Sequence, residues 1–539
     1  MCPILSKNAS FINNGIDHSG VRRRTIILIL VLGFLLRLYA CLNTYIINPD
    51  GTIYIHQARA MLYGQWEQLT NCVMGYITPY PPLILGAYFI FNDWIVAARS
   101  VSLLFGTLSL IPLYLLLRQF FRRGIASAGL LMFAVTPFLV SQSADVIRDP
   151  LYWFLILTGL YFFIRQVDRP TYRLSLILSS LSFLVATWER TEGMLFVILS
   201  LLFLLLVKQD KRWRRLFYFG LPLLPVIVFA MLDVSFLNSP VKQILRLSSI
   251  KSIFLRPFQQ YHEIRSATRS LANPTLDHRL LSFLEKASNL AWLVGLGALV
   301  AHVMKAFFYP FFLVFLAGIP EMVKRSSKDK RIAYLFLLSV AGLIVIYLYL
   351  LGTWLIYSRF MVLFVFPSFV FAGLGLERIL RHMESGFKLG HTAVLAIIIL
   401  LMVAVTLPKN LEHREKDKAL FKNMGEFIAQ SEGNSRVVHV LGLPSSSVAW
   451  ISFYANLNYP GAPCPLVVDP GKTMWDSYDQ FLQRLKQDNV HYFLYEERRW
   501  PKKGFDILEE LNPRDLILLM EADHRDTGRI LLFRVRKDA

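Results

Sequence analysis

Apolar and polar residues along this chain follow two regimes. Up to residue 408, long apolar runs are separated by short charged breaks, with candidate spans near 25–45, 96–117, 125–142, 151–167, 173–188, 193–207, 215–235, 289–319, 332–351, 359–378 and 391–408. A membrane-crossing helix needs about 20 mostly apolar residues, so the pattern predicts a bundle of about 11 transmembrane helices. The run 289–319 is long enough to hold an interfacial helix plus a span. The segment 81–92 is too short to cross and reads as an interfacial or re-entrant helix.

Beyond residue 408 the regime changes. Charges are spread throughout, and strand-like runs at 437–441, 491–495 and 530–535 alternate with helical patterns at 419–429 and 475–486. Such alternation predicts a small α/β domain. The expected fold class is therefore mostly α: a polytopic transmembrane helix bundle over 25–408, preceded by a tail over 1–24 and followed by an α/β domain over 409–539. That domain has no P-loop, GxGxxG or nucleophile elbow, which favours packing over a cavity or selecting an acceptor over chemistry of its own.

Basic clusters orient the spans. Arg22 to Arg24, Arg118 with Arg122 and Arg123, Arg165 with Arg169 and Arg173, Lys208 to Arg215, Lys324 to Arg331, and Arg378 with Arg381 and Lys388 fall on alternate loops. All lie on one side if 81–92 does not cross, and that side is cytoplasmic by the positive-inside rule. The N-terminus is then inside and the α/β domain outside.

Composition narrows the class. The hydrophobic fraction is 55 % and charged residues are 17 %, against about 25 % charged in soluble domains. Mean hydropathy is +0.46. A soluble enzyme, a disordered chain and a fibrous one are excluded. The net charge of +20 would suggest nucleic acid in a soluble protein. Here it is a topology signal, and no nucleic acid is expected as a partner. The cysteines Cys2, Cys41, Cys72 and Cys464 form no CxxC or CxxH pair. Free thiols are expected at Cys72 and Cys464, a disulfide between them being the alternative. No cleavable signal peptide is evident; the run after Arg24 reads as a signal-anchor.

Candidate chemistry collects at the outer span ends. Asn48-Pro49-Asp50-Gly51 follows the first span, and Tyr54, Ala58, Met61 and Leu62 then share one helical face, with His56 and Arg59 on another. Asp50 reads as an N-cap or turn residue. A carboxylate held at a helix start is also organised to take a proton or orient a hydroxyl. The second outer loop carries Asp145, Arg148 and Asp149, where Asp149-Pro150 equally reads as a helix start and Arg148 as a partner for Asp149. Arg190 and Glu192 form a third cluster, alternatively a solvated loop. Tyr357 and Arg359 form a fourth, where the arginine alternatively snorkels. Arginine suits phosphate because its planar fork makes paired hydrogen bonds. The basic loop 236–286 would attract anionic headgroups of membrane lipids; its His262-Glu263 pair is weak evidence for a metal.

The order of motifs is more specific than any one of them. Asp50, Tyr54, Ala58, Leu62 and Gly64 are followed by Tyr80-Pro81-Pro82-Leu83, then Ala98-Arg99-Ser100 leading to Gly106, then Asp149, Arg190-Thr191-Glu192-Gly193 and Tyr357-Ser358-Arg359-Phe360. This order resembles the GT-C membrane glycosyltransferases, in the branch of protein O-mannosyltransferases, the lipid A aminoarabinose transferase and relatives with RgtA/B/C/D-like domains. Two departures stand out: Gly51 replaces the second acid of an Asp-Glu pair, and Tyr80 replaces a Lys or His.

The resemblance implies a polyprenyl-phosphate-sugar donor and a hydroxyl acceptor on a protein, lipid or glycan. Transfer would occur on the extracytoplasmic face with inversion at the anomeric carbon. Asp50 would be the base, and Asp149 would position the acceptor or an arginine. Arg148, Arg190 and Arg359 would hold the leaving phosphate, with Tyr54, Arg59, Tyr80, Glu192 and Tyr357 completing the substrate site. No cofactor is expected; some relatives use a divalent metal through Asp-x-Asp, which the first loop lacks. The expected location is a bacterial inner membrane. The alternatives are a transporter or flippase for lipid-linked sugars, or a ligase of whole glycan chains.

Overall fold

The structure, a computed structural model, describes residues 23–72, 74–168, 173–207, 211–226, 228, 247–272, 277–388, 390–433, 435–443, 445–465, 477–500 and 505–536. Among these, seven helices are long and apolar enough to cross a membrane: Arg23–Leu42, Trp94–Leu117, Asp149–Asp168, His278–Phe307, Lys330–Thr353, Ser358–Gly386 and His391–Asn410. The bent pair Arg123–Val135 and Pro137–Ser143 makes an eighth if counted as one span. The shorter helices Arg173–Glu189 and Met194–Leu206 match the remaining runs between them. The candidate at 215–235 lies partly outside the described residues, and 1–22 and 229–246 lie wholly outside them.

The run 289–319 proves to be parts of two helices, His278–Phe307 and Tyr309–Ser326. Phe308 between them has φ +69°, and Pro310 in the first turn of the second helix has no N–H to continue the first. The segment expected at the interface is the 12-residue helix Tyr80–Phe91. It buries Tyr80, Pro81 and Ile84 and leaves Phe89 and Ile90 71 % and 78 % exposed, an apolar face suited to lipid.

The chain forms two compact units. The first comprises Met1–Tyr39, Leu103–Ser143 and Arg148–Glu412. Its centre is the helix Val362–Phe387, against which Tyr309–Ser326 lies backbone to backbone. A Cβ on Gly318 would strike the Phe371 carbonyl, and one on Gly375 the Val314 carbonyl. Small residues permit this approach, which is how helices associate where lipid removes the hydrophobic drive. Pro137 breaks the helix before it, with a bend of 58°, and interrupts the hydrogen-bond ladder. Two buried side chains satisfy carbonyls at the break: Arg37 donates to the Ala134 carbonyl (3.0 Å) and Asn410 to that of Val135 (2.8 Å). Arg37 also reaches the Gly33 carbonyl and Ser143 Oγ.

The second unit comprises Ala40–Ser102, Ala144–Ile147 and His413–Ala539. It contains a four-stranded sheet in the order β1-β2-β4-β3, with β1 Val440–Gly442, β2 Tyr492–Glu496, β3 Leu516–His524 and β4 Gly528–Val535. β1 is parallel to β2, and β4 is antiparallel to both its neighbours. One face packs Phe493, Leu531 and Phe533 on Phe481 and Leu485 of the helix Tyr478–Gln487. The helix Ala419–Glu432 lies on the other face, with Phe421 against the His524 ring and Glu432 accepting from the Tyr492 hydroxyl. Of the four strands, the edge strand β3 is the one the sequence pattern did not predict. Its burial is irregular, and Glu521 and Asp523 interrupt its apolar run.

Candidate active site

In the second unit the segment 43–48 is held from several sides. Arg99 donates to the carbonyls of Cys41 (3.2 Å) and Thr44 (2.8 Å), and Trp450 Nε1 to that of Ile47 (2.8 Å). Half-buried Asp145 accepts the N–H groups of Asn48 and Val146, each at 2.8 Å. Burial pushes its pKa up, opposed by those two bonds. This frame aims the helix Pro49–Leu62.

The N-cap of that helix is Asn48, whose Oδ1 accepts the Asp50 N–H at 3.0 Å. Asp50 is therefore a first-turn residue, and it lines a cleft of about 270 Å³. Gly51 has no room for a side chain: a Cβ would lie 2.7 Å from the Val146 carbonyl oxygen. Any side chain at position 51 is excluded by this close approach.

His56 and Arg59 from the same helix also line the cleft, opposite Ser445, Ser452 and Asn456. Arg59 is 3 % exposed and donates to the carbonyls of Asn456 (3.0 Å) and Tyr459 (2.6 Å). Burial lowers its pKa to about 10. Burial also pushes the His56 imidazole down, against hydrogen bonds to the carbonyls of Gln68 and Pro463. Pro463 and Pro465 complete the wall, and Cys464 between them forms a disulfide with Cys72. The Cα–Cα separation of 5.3 Å is normal for a disulfide. This corrects the expectation of two free thiols. The His56, Cys72 and Cys464 ligand atoms lie within 4.8 Å of one another, but the disulfide takes up both sulfurs.

Tyr54 and Tyr80 are not among the residues lining the cleft. Both are buried, edge to face at 5.4 Å, and the Tyr80 hydroxyl bonds to the Ala98 carbonyl (3.0 Å) and Ser102 Oγ (2.7 Å). Tyr80 is thus a packing aromatic here.

A separate cluster lies in the first unit. Asp149 opens the helix Asp149–Asp168, Arg190 follows Arg173–Glu189, and Glu192 sits in the turn Thr191–Gly193. Arg190 donates to Asp149 Oδ1 at 2.5 Å and to Glu192 Oε1 at 2.9 Å. Burial works against the Arg190 charge, yet the carboxylates of Asp149 and Glu192 hold its pKa well above the usual value. Burial likewise works against the Glu192 carboxylate, and the Arg190 guanidinium outweighs it, holding the group at about 2. The Phe360 ring joins the late motif to this cluster, with the Arg190 guanidinium carbon 4.9 Å and that of Arg359 5.9 Å from its centroid. Arg359 also lies 5.1 Å from the Tyr357 ring centroid. The Arg148 charge acts on Glu192. Gly193 is required sterically, since a Cβ there would meet the Thr187 nitrogen at 2.8 Å.

The cluster thus gathers Asp149, Arg190, Glu192, Tyr357 and Arg359, while Asp50 and Arg59 share the cleft. His56 lay on the polar helix face in the sequence pattern without a role. Ser445 and Asn456, almost 400 residues from Asp50, carried no local signal.

Residues 79–235, less than half of the chain, match the family model described as dolichyl-phosphate-mannose-protein mannosyltransferase. ArnT from Cupriavidus metallidurans, solved bound to undecaprenyl phosphate, is similar with a TM-score of 0.59 at 12 % identity, covering 96 % of this chain and 99 % of that one. The Archaeoglobus fulgidus oligosaccharyltransferase, tethered with an acceptor peptide containing the NVT sequon, gives 0.57 at 13 % identity, covering 88 % and 70 %. The chain has the GT-C glycosyltransferase fold. Mycobacterial arabinofuranosyltransferase AftD is also similar, with a TM-score of 0.53 at 12 % identity, covering 97 % of this chain and 42 % of AftD. No curated protein matches it in sequence.

Proposed function

We propose that the chain transfers a sugar from a polyprenyl-phosphate carrier to a hydroxyl acceptor on the extracytoplasmic face. The observation carrying this reading is the Asp50 carboxylate in the first turn of its helix, lining a cleft beside His56 and Arg59 in a GT-C fold. That ArnT was solved with undecaprenyl phosphate, and the archaeal oligosaccharyltransferase with a dolichol-phosphate, supports a lipid-phosphate donor.

In the proposed reaction Asp50 takes the acceptor hydroxyl proton as the oxygen attacks the anomeric carbon. The bond from that carbon to the phosphate oxygen breaks, its electron pair leaving with the polyprenyl phosphate, and the configuration inverts. The developing phosphate charge needs a fixed positive partner. Arg359 is the proposed partner, as the resemblance of its motif implies. Asp149 and Glu192 are positioning residues, acting through Arg190.

The test is transfer of radiolabelled single sugar from a polyprenyl-phosphate donor in membranes. Asp50→Asn should lower turnover by about 10²-fold or more at normal expression. Undiminished turnover would remove Asp50 as base, and translocation of donor without product would replace the enzyme with a flippase. Arg359→Ala should lower kcat if the arginine acts in the transition state, and raise only KM if it serves binding alone.

A further inference from the structure

The α/β part of the second unit carries a second cavity, of about 830 Å³, away from the Asp50 cleft. Its origin is topological. The helix Ala419–Glu432 runs across the sheet face from His524, at the end of β3, to Tyr492, at the start of β2. It stops there, capped by Gly433 at φ +70°. The corner above the start of β3 and the end of β4 stays open. Arg534 and Ile517, which pair directly across the sheet, line it.

Four arginines line this corner: Arg436, Arg514, Arg534 and Arg536. Two acids join them, Glu432 and Asp515. Buried Glu432 accepts from the Tyr492 hydroxyl at 2.7 Å and pairs with Arg436 and with Arg534 at 3.4 Å. Asp515 accepts from the Tyr478 hydroxyl at 3.4 Å. Arg514 and Arg536 are exposed and form no ion pair among the described residues. Four cations against two acids leave the lining two charges positive.

The lining also selects among anions. Its apolar members are Ile517 and Val535, too few to seat acyl chains, and the buried His491 imidazole completes the lining. Asn512, whose Oδ1 accepts the Arg514 N–H at 3.0 Å, offers its amide N–H groups to hydroxyls. The volume falls in the range of about 300–1,000 Å³ typical of small-ligand sites. We propose that this corner binds an anionic saccharide, a sugar chain bearing phosphate or carboxylate groups, with Arg514 and Arg536 as its oxyanion ligands. The proposal does not rest on the transfer reaction.

The test is equilibrium binding to the full-length protein in nanodiscs of zwitterionic lipid. The probes are fluorescent trigalacturonate and a phosphorylated mannose trisaccharide, with maltotriose as the neutral control. At least one acidic probe should bind and maltotriose should not, with affinity falling as salt rises. The double variant Arg514→Gln/Arg536→Gln should weaken acidic-probe binding about tenfold or more, and Arg514→Lys/Arg536→Lys should restore part of it. Equal affinity in wild type and the Gln variant, or equal binding of maltotriose, would overturn the assignment. So would capture of phosphatidylglycerol vesicles with no saccharide binding, which would make the ligand a lipid headgroup. Asp50→Asn protein should bind the probes as wild type does, so failure of catalysis and failure of this site read separately.

Discussion

At Arg190 two carboxylates converge on one guanidinium from sequence positions on either side of it. Removing one partner of a buried ion pair typically costs about 3–5 kcal/mol, because the other charge stays buried without compensation. Arg190→Leu should therefore lower thermal stability sharply, and Asp149→Asn combined with it should recover part of the loss. Additive losses in that cycle would show that the two side chains do not act as a pair. Glu192 adds a pH dependence. Its carboxyl is held at about 2 against an ordinary value of 4.5, so its contribution is fully present above about pH 4.5 and is lost as pH falls toward 2. Melting curves in detergent should decline over that window, and Glu192→Gln should flatten the decline. The motif order located these residues but not their pairing. Sequence adjacency offered Arg148 as a partner for Asp149; the ion pair with Arg190, 41 positions away, had no local signal. The glycine at 51 was legible as a departure, and its cause, the Val146 backbone, was not.

At the scale of elements, the broken helix at Pro137 depends on side chains from two other helices. An unsatisfied buried carbonyl costs about 1–3 kcal/mol. Arg37→Met should lower the melting temperature accordingly, and Pro137→Ala in that background should restore part of it by letting the helix straighten, so that the Phe138 N–H can reach the Ala134 carbonyl. No recovery would mean that Arg37 stabilises by packing alone. The apolar run at 125–142 read as one span, because hydropathy averages over a bend. Pro137 was visible in the sequence, but nothing local indicated that an arginine inside the first apolar helix would satisfy the break. The sheet was legible in three of its four strands; β3 escaped because an edge strand need not alternate cleanly.

Across the whole molecule, local composition marked where the α/β tail begins but held no sign that residues 40–102 group with it. That grouping is made by long-range contacts: Arg59 on the Asn456 carbonyl, Trp450 on the Ile47 carbonyl, and the Cys72–Cys464 bond. A disulfide closing so long a loop typically contributes about 2–4 kcal/mol. Cys72→Ser/Cys464→Ser should melt earlier by a matching amount and, with Pro463 and Pro465 in the cleft wall, should lose transfer activity. Alkylation should label these two cysteines in the wild-type protein only after reduction. Labelling without reductant would show that the bond does not form.

The 392 residues between the two sulfurs also set an order of assembly. Cys72 emerges from the ribosome long before Cys464 exists, so its thiol must wait, reduced and unclaimed, while most of the bundle is synthesised and inserted. Final locking is therefore a late maturation step that draws on an external oxidant. A cell poor in thiol-oxidising capacity should accumulate full-length, inserted but immature protein.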